Sequence, residues 1–219
     1  IISRYLTPQE QNKWSQLSQV TVGQDAIVFL TNSKNPVTTI TSAQVVALYT
    51  DTMADSDENR INLQPTMLFS KGKHHGTHSA FLDYFKLESM EAPLTKNQLI
   101  FKSQGINQLY GKASAKTYDQ VNQAIGSVSR IENAIAYESL GAYQTYKNTH
   151  SINNIRLLSL DNIAPIVSQL PNYDYQFKRP LNIIIGTNPS KKAKLFIDYL
   201  LSKEGQKIMH DNFFLPLRK

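Results

Sequence analysis

Apolar and polar positions switch between two periods along this chain. Short apolar, partly β-branched runs alternate with stretches of helical spacing, the order expected of an α/β protein. Thr7-Pro8-Gln9-Glu10 opens the first helix: Thr7 caps, Pro8 suits the first position and Glu10 completes a capping box. Ala26 to Leu30 reads as a buried strand, and Asn35-Pro36 breaks it. Thr41 to Gln44 is a second capping box, leading into a short helix with Val45, Val46, Leu48 and Tyr49. Residues 53–62 are acidic and read as a surface loop. Thr66 to Phe69 is the next strand. It runs through a glycine-containing loop, Lys71 to Thr77, into a helix carrying Phe81, Leu82 and Phe85. Residues 93–130 are predicted helical in pieces, including Asp119 to Ile125. Ala134 to Tyr137 and Ile155 to Leu160 are predicted strands, and Leu181 to Ile185 is a strong one.

Asn188-Pro189-Ser190 starts the clearest amphipathic helix. Ala193, Phe196, Ile197, Leu200, Leu201, Ile208 and Met209 fall on its apolar face. The tail from Asn212 to Leu217 is expected to pack, because exposing Phe213, Phe214 and Leu215 is costly. The runs at 26–30 and 181–185 look too apolar for edge positions, so both are expected to be buried in one sheet.

Composition narrows the class. The 219 residues allow one large domain or two small ones. Hydrophobic residues at 41% and charged residues at 18% exclude wholesale disorder. No apolar run approaches the roughly 18 residues of a membrane-spanning helix, so no membrane insertion is expected of this segment. The absence of cysteine removes disulfides, thiolate metal sites and a cysteine nucleophile. There is no start methionine and no signal-type apolar segment, so the chain reads as a mature or trimmed product. The net charge of +6 suits an anionic partner. The basic clusters, Lys191 to Lys194 and Lys71 to His75, are too short for a nucleic-acid arm, and no nucleic-acid partner is expected.

The loop Lys71 to Thr77 carries the most chemistry. A helix N-terminus offers unpaired backbone N–H groups and the positive end of the helix dipole. Gly76 lets backbone approach a ligand, Thr77 adds a hydroxyl, Lys71 and Lys73 add charge, and His74 and His75 add donors. Together they make an oxyanion cradle. It is not a Walker loop, because GxxxxGK[ST] is absent. His74, His75 and His78 raise a metal reading. The nearest downstream carboxylate, Asp83, is badly spaced, and the histidines read better as solvated or anion-facing, so no metal and no cofactor is expected. GxSxG and a Ser/His/Asp set are absent, and no enzyme is expected.

Several stretches together resemble the phosphate-binding proteins of ABC phosphate transporters (PstS-like), within the type II periplasmic binding fold. Ser3-Arg4-Tyr5-Leu6 with Glu10 is similar to that family's SRPL…E segment. Gly23 through Val28 to Asn35-Pro36-Val37, then Thr41 to Tyr49, resembles its IAVIVN…NPV…LT…Q…IF segment. The loop Lys71 to Thr77 stands in place of its R-x-x-x-SGT anion loop, with lysine for arginine and His75 for serine. Gly76 and Thr77 are retained. Lysine is a point charge without a bidentate fork, and a histidine's charge varies with pH. Ala134 to Tyr137 resembles AIGY, Arg179-Pro180-Leu181 resembles RPL, and Phe196 to Gln206 with Pro216-Leu217 resembles FIDFLLSxEGQ…PL.

The resemblance implies a two-lobed type II periplasmic-binding-protein-like fold, α/β in class, with the first lobe incomplete. Residues 1–33 and 140–219 would form the first lobe and 34–139 the second. The chain starts at what resembles the end of the family's third strand, roughly 50–80 residues in, judged against a βαβ half-domain. The implied function is capture of inorganic phosphate or a similar tetrahedral oxyanion between the lobes, outside the cytoplasm, for an ABC permease. Sulfate, molybdate and tungstate stay open. The implied ligand-binding residues are Lys71, His75, Gly76, Thr77 and, from the opening segment, Arg4. A second reading from the altered loop is a sensor or protein-interaction module on the same fold. A first lobe without its opening strands should expose apolar surface, to be covered by another segment or partner chain, or by self-association.

Overall fold

The structure is a computed structural model and describes residues 1–52, 67–105, 108–166 and 175–217. The acidic stretch 53–62 and the start of the strand expected at Thr66 lie outside them.

Among the described residues, a mixed sheet of nine strands organises the fold. Its spine is β1 (Ser18–Asn32), in which Ala26 to Leu30 are fully buried. The first part of β1 pairs antiparallel with β9 (Lys178–Ile185), from Ser18↔Ile185 to Ala26↔Lys178. At Ile27 it takes a new partner, β7 (Ala134–Ser139), in the register Ile27↔Ser139 to Thr31↔Ile135. β8 (Ile155–Leu160) pairs with the end of β1 and carries the short parallel β2 (Thr39–Ile40).

Beyond β7 the sheet continues through β3 (Met67–Lys71), β6 (Ser114–Tyr118), β5 (Gln98–Ser103) and β4 (Leu87–Glu91). β3 lies parallel to both β7 and β6. Their carboxyl ends therefore share one edge of the sheet, where α/β folds seat ligands.

The helices obey the capping signals. α1 (Pro8–Lys13) and α2 (Ser42–Thr50) each start on a complete capping box, at Thr7 and Thr41. α3 (Gly76–Phe85), α4 (Val121–Val128) and α5 (Leu140–Thr149) come directly after β3, β6 and β7. Phe81 of α3 stacks on Tyr137 at 4.2 Å between ring centroids, and Phe29, Phe85 and Phe177 close round it edge-on or tilted. These rings fill the space between α3 and the sheet and fix where the helix begins.

Three expectations change. First, among the described residues, 93–130 is helical only at α4. β5 and β6 occupy much of the rest, because Leu99, Phe101 and Ala115 are buried with period two, the pleat rather than the helix. Second, the long C-terminal helix is two helices, α6 (Lys191–Leu201) and α7 (Lys203–Asp211). The Ser202 hydroxyl donates to the Tyr199 carbonyl and accepts from the Gly205 amide, ending one helix and capping the next. Of the apolar face expected there, Ile197 is buried but Phe196 and Ile208 are 53% and 46% exposed. Third, Leu181 to Ile185 does share a sheet with Ala26 to Leu30, yet its three isoleucines are only half-buried. Among the described residues, β9 meets β1 on one side and only an isolated bridge, Ile2↔Asn182, besides. The C-terminal tail packs as expected: Leu215 is buried and bridges Gln24.

Candidate functional site

At the shared carboxyl edge of β3, β6 and β7 lies a cleft of about 720 Å³. Lys71, His75, Gly76 and Thr77 line it together. Arg4 does not. Its guanidinium is held by both carboxylate oxygens of Glu10, at 2.6 and 2.7 Å, on the rim of a neighbouring depression. That grip holds the Glu10 carboxyl down at about 2, with the Thr7 amide helping.

α3 begins in this cleft without a side-chain cap. His75 stands at the N-cap position in extended backbone, but its ring makes no capping bond. The first amides of a helix have no partner inside it, so those of Gly76 and Thr77 face the cleft as donors. Thr77 is 3% exposed, which keeps its donors out of bulk water. Gly76 allows a close approach: a Cβ there would come within 2.0 Å of the Ser3 hydroxyl oxygen and displace it.

A second helix, α5, also starts at the cleft, and its end is already served. The Ser139 hydroxyl accepts from the Ala142 amide at 3.2 Å. The fully buried Asp25 carboxylate lies close enough for the Ser139 hydroxyl and the Gly141 amide to lower its pKa. Asp25 is held mainly by Arg179, whose Nε and Nη2 donate to Oδ2 at 3.0 and 2.8 Å, while Nη1 donates to the Ser3 hydroxyl at 3.1 Å. Burial still raises the Asp25 carboxyl above its ordinary range. The Ser3 proton is left to donate elsewhere.

Lys71 reaches the cleft already committed. Its Nζ lies 2.7 Å from Glu138 Oε2, donates to the Asp119 carbonyl at 3.0 Å and sits 4.7 Å from the centre of the Tyr118 ring. Both partners of this ion pair are buried, at 5% and 2% exposure. Burial raises the Glu138 carboxyl, and Lys71 opposes the rise. The two cations of the site are thus each matched by a carboxylate, and its remaining attraction for an anion comes from N–H and O–H donors.

His78, the third histidine of the loop region, turns into the core. Nδ1 lies 3.1 Å from the Tyr137 hydroxyl and 3.2 Å from the Ser70 hydroxyl, and Nε2 lies 2.8 Å from the Ser89 hydroxyl. Burial first, then Lys73 and His75, lower its pKa to about 4, so it is neutral near pH 7. His75 instead points across the loop to Asp119, with Nε2 3.1 Å from Oδ1.

Ser3, Asp25, Glu138, Ser139 and Arg179 were missed as site residues by the sequence. Arg179 had a legible signal, the RPL resemblance, as had Ser3. Asp25, Glu138 and Ser139 are brought in by strand register.

Fold and cleft together gather side-chain and helix-end donors at the carboxyl ends of parallel strands, as α/β binding folds do. Residues 1–204 match the PBP superfamily domain, and the chain belongs to that family. It is 28% identical over 151 residues to "Phosphate-binding protein PstS 2" of Streptococcus agalactiae, over 68% of this chain and 45% of that protein. The chain therefore spans about half the length of such curated relatives. It is 23% identical to "Phosphate-binding protein PstS" of Borreliella burgdorferi, over 100% of this chain and 72% of that protein. The structure matches a putative phosphate ABC transporter substrate-binding protein of Clostridium perfringens, solved with bound phosphate. The TM-score is 0.70 at 22% identity, over 99% of this chain and 78% of the other. An ABC-type phosphate transport receptor of Vibrio cholerae also gives 0.70, at 18% identity. At these identities the two structures establish the fold alone. No helix among the described residues is long and apolar enough to cross a membrane.

Proposed function

We propose that this chain is the ligand-holding part of a PstS-like solute-binding protein, which captures phosphate or a similar tetrahedral oxyanion for an ABC permease. The observation that carries the reading is the start of α3: an open helix end, sheltered at Thr77, facing a cleft edged by the Ser3 hydroxyl and the Arg179 guanidinium. Such an end is a ready anion site. The named relatives bind phosphate, which favours that oxyanion over sulfate, molybdate or tungstate. The protein holds its ligand without changing it, and it works outside the cytoplasm, in the periplasm or an equivalent space.

Residues 1–33 with 140–219 form one lobe and 34–139 the other, and they close on the ligand. On this reading the lobes meet along β1, whose partner changes from β9, up to Ala26, to β7, from Ile27, within the first lobe's own opening segment.

Calorimetric titration of the full-length protein with phosphate, sulfate, molybdate and tungstate tests the reading. One oxyanion, phosphate first, is expected to bind one to one. Thr77→Val removes a charge-assisted donor and should weaken binding by about 1–3 kcal/mol. If none of the four binds at millimolar concentration, the capture reading fails and a sensor or interaction module on the same fold takes its place.

A further inference from the structure

At the rim of the cleft, residues distant in sequence converge. His74 Nε2 lies 3.5 Å and His75 Nε2 3.1 Å from the same oxygen, Oδ1 of Asp119, which stands 44 positions beyond His75. One ligand atom from each of the three residues lies within 4.8 Å of the others. We propose that His74, His75 and Asp119 form a binding site for one divalent transition-metal ion of zinc-like chemistry.

The distances fit the chemistry. Ligands about 2.0–2.1 Å from a tetrahedral ion stand roughly 3.3 Å apart, and the two nitrogen–oxygen separations straddle that value. Two imidazoles and one carboxylate suit zinc, nickel, copper or cobalt rather than magnesium or calcium, which take oxygen ligands. Three protein ligands leave a fourth position for water or for an oxygen of a small anion.

The backbone is arranged to bring these groups together. The Lys71↔Tyr118 register of β3 and β6 sets the two succeeding loops side by side. The Gly72 amide then donates to the Tyr118 carbonyl at 3.2 Å, and Lys71 Nζ donates to the Asp119 carbonyl at 3.0 Å. Gly72 itself leaves the space: a Cβ there would lie 2.8 Å from Asp119 Oδ1 and 3.1 Å from His74 Cε1. The Gln123 side-chain oxygen accepts from the Asp119 amide at 3.0 Å, fixing the residue from the α4 side. Two neutral imidazoles with ring centroids 4.3 Å apart gain little from converging on one carboxylate oxygen, whereas a cation makes that grouping favourable.

The site does not rest on the oxyanion reading, because the metal alone is the probe. The purified full-length protein is titrated with zinc chloride by calorimetry, in buffer free of phosphate, and with cobalt chloride while the visible d–d absorption is monitored. One site per chain is expected, with cobalt bands of a low-coordinate nitrogen and oxygen environment. His74→Ala, His75→Ala and Asp119→Asn should each weaken zinc at least about ten-fold and remove the cobalt bands. Gly72→Ala should weaken zinc by crowding Asp119. His74 and Asp119 are exposed, so these variants are expected to fold, which circular dichroism checks. His210→Ala, on the far helix α7, should leave the site intact. Zinc binding that survives both His74→Ala and Asp119→Asn overturns the proposal, as does absence of any site that these substitutions remove.

Discussion

Lys71 and Glu138 show how one buried pair can decide whether a cation is available. An ammonium 2.7 Å from a carboxylate, with a carbonyl and a ring taking its other directions, is a structural group before it is a ligand group. Removing one partner leaves an uncompensated buried charge, at a cost of about 3–5 kcal/mol, while replacing both with apolar residues is often close to neutral. Lys71→Met and Glu138→Leu should therefore each lower stability by that order in urea unfolding. The double variant should recover most of the loss. Equal and additive losses would mean that the two side chains act separately.

At this scale the loop Lys71 to Thr77 was readable because its chemistry is contiguous. Asp25 was not. Its role depends on lying opposite Arg179 in the β1–β9 register and two residues before Ile27, the partner of Ser139. Asp119 was invisible beside His75 for the same reason, since only the pairing of β3 with β6 joins their loops.

Among the elements, α3 carries a pH dependence. His78 is neutral in the folded protein down to about 4, whereas in the unfolded chain it titrates near its ordinary value of 6.5. Below that value the unfolded state takes up a proton that the folded state refuses. Stability is therefore complete above about pH 6.5 and falls progressively towards pH 4, by up to about 3 kcal/mol from this group. Urea unfolding at pH 7.0 and 4.5 should show a larger loss for the native protein than for His78→Gln, whose amide keeps hydrogen bonding without titrating. An identical loss in both would remove His78 as the source.

α6 and α7 hinge on Ser202, and Ser202→Ala should cost about 1 kcal/mol by uncapping α7, measured in the same way. The sequence reading ran these helices together because apolar spacing continues across the break. The serine cap was there to be read, three residues before Gly205. β5 and β6 were misread for the opposite reason: their alternation is short, and Ile100, apolar at an outward position between Leu99 and Phe101, blurs it.

For the whole molecule, the mixed α/β class and the order of most elements were legible, because each buried run or capping box signals itself locally. The path of the sheet was not, since β1 meets β7, β8 and β9 across long separations. Exposed apolar groups stand on two helices rather than on the sheet edge the sequence reading had in view. Leu195, Phe196 and Tyr199 on α6 and Ile208 on α7 all stand in solvent. The isolated chain should self-associate as concentration rises. Leu195→Glu with Phe196→Glu should suppress this in sedimentation velocity, and should shift stability by no more than about 0.5 kcal/mol per site, as surface changes do. A wild-type chain that stays monomeric at high concentration would contradict this expectation.

The uncapped start of α3 has a thermodynamic corollary. A bound oxyanion would stand where a serine or aspartate side chain stands in other helices, so the ligand would act as a detachable residue of the fold. Whatever binds only the folded state raises its stability with the logarithm of concentration, by about 2.7 kcal/mol at a hundred times the dissociation constant. The melting temperature of this protein would then serve as a gauge of the oxyanion around it, and the Gly76 and Thr77 amides would exchange with deuterium quickly when the site is empty and slowly when it is full.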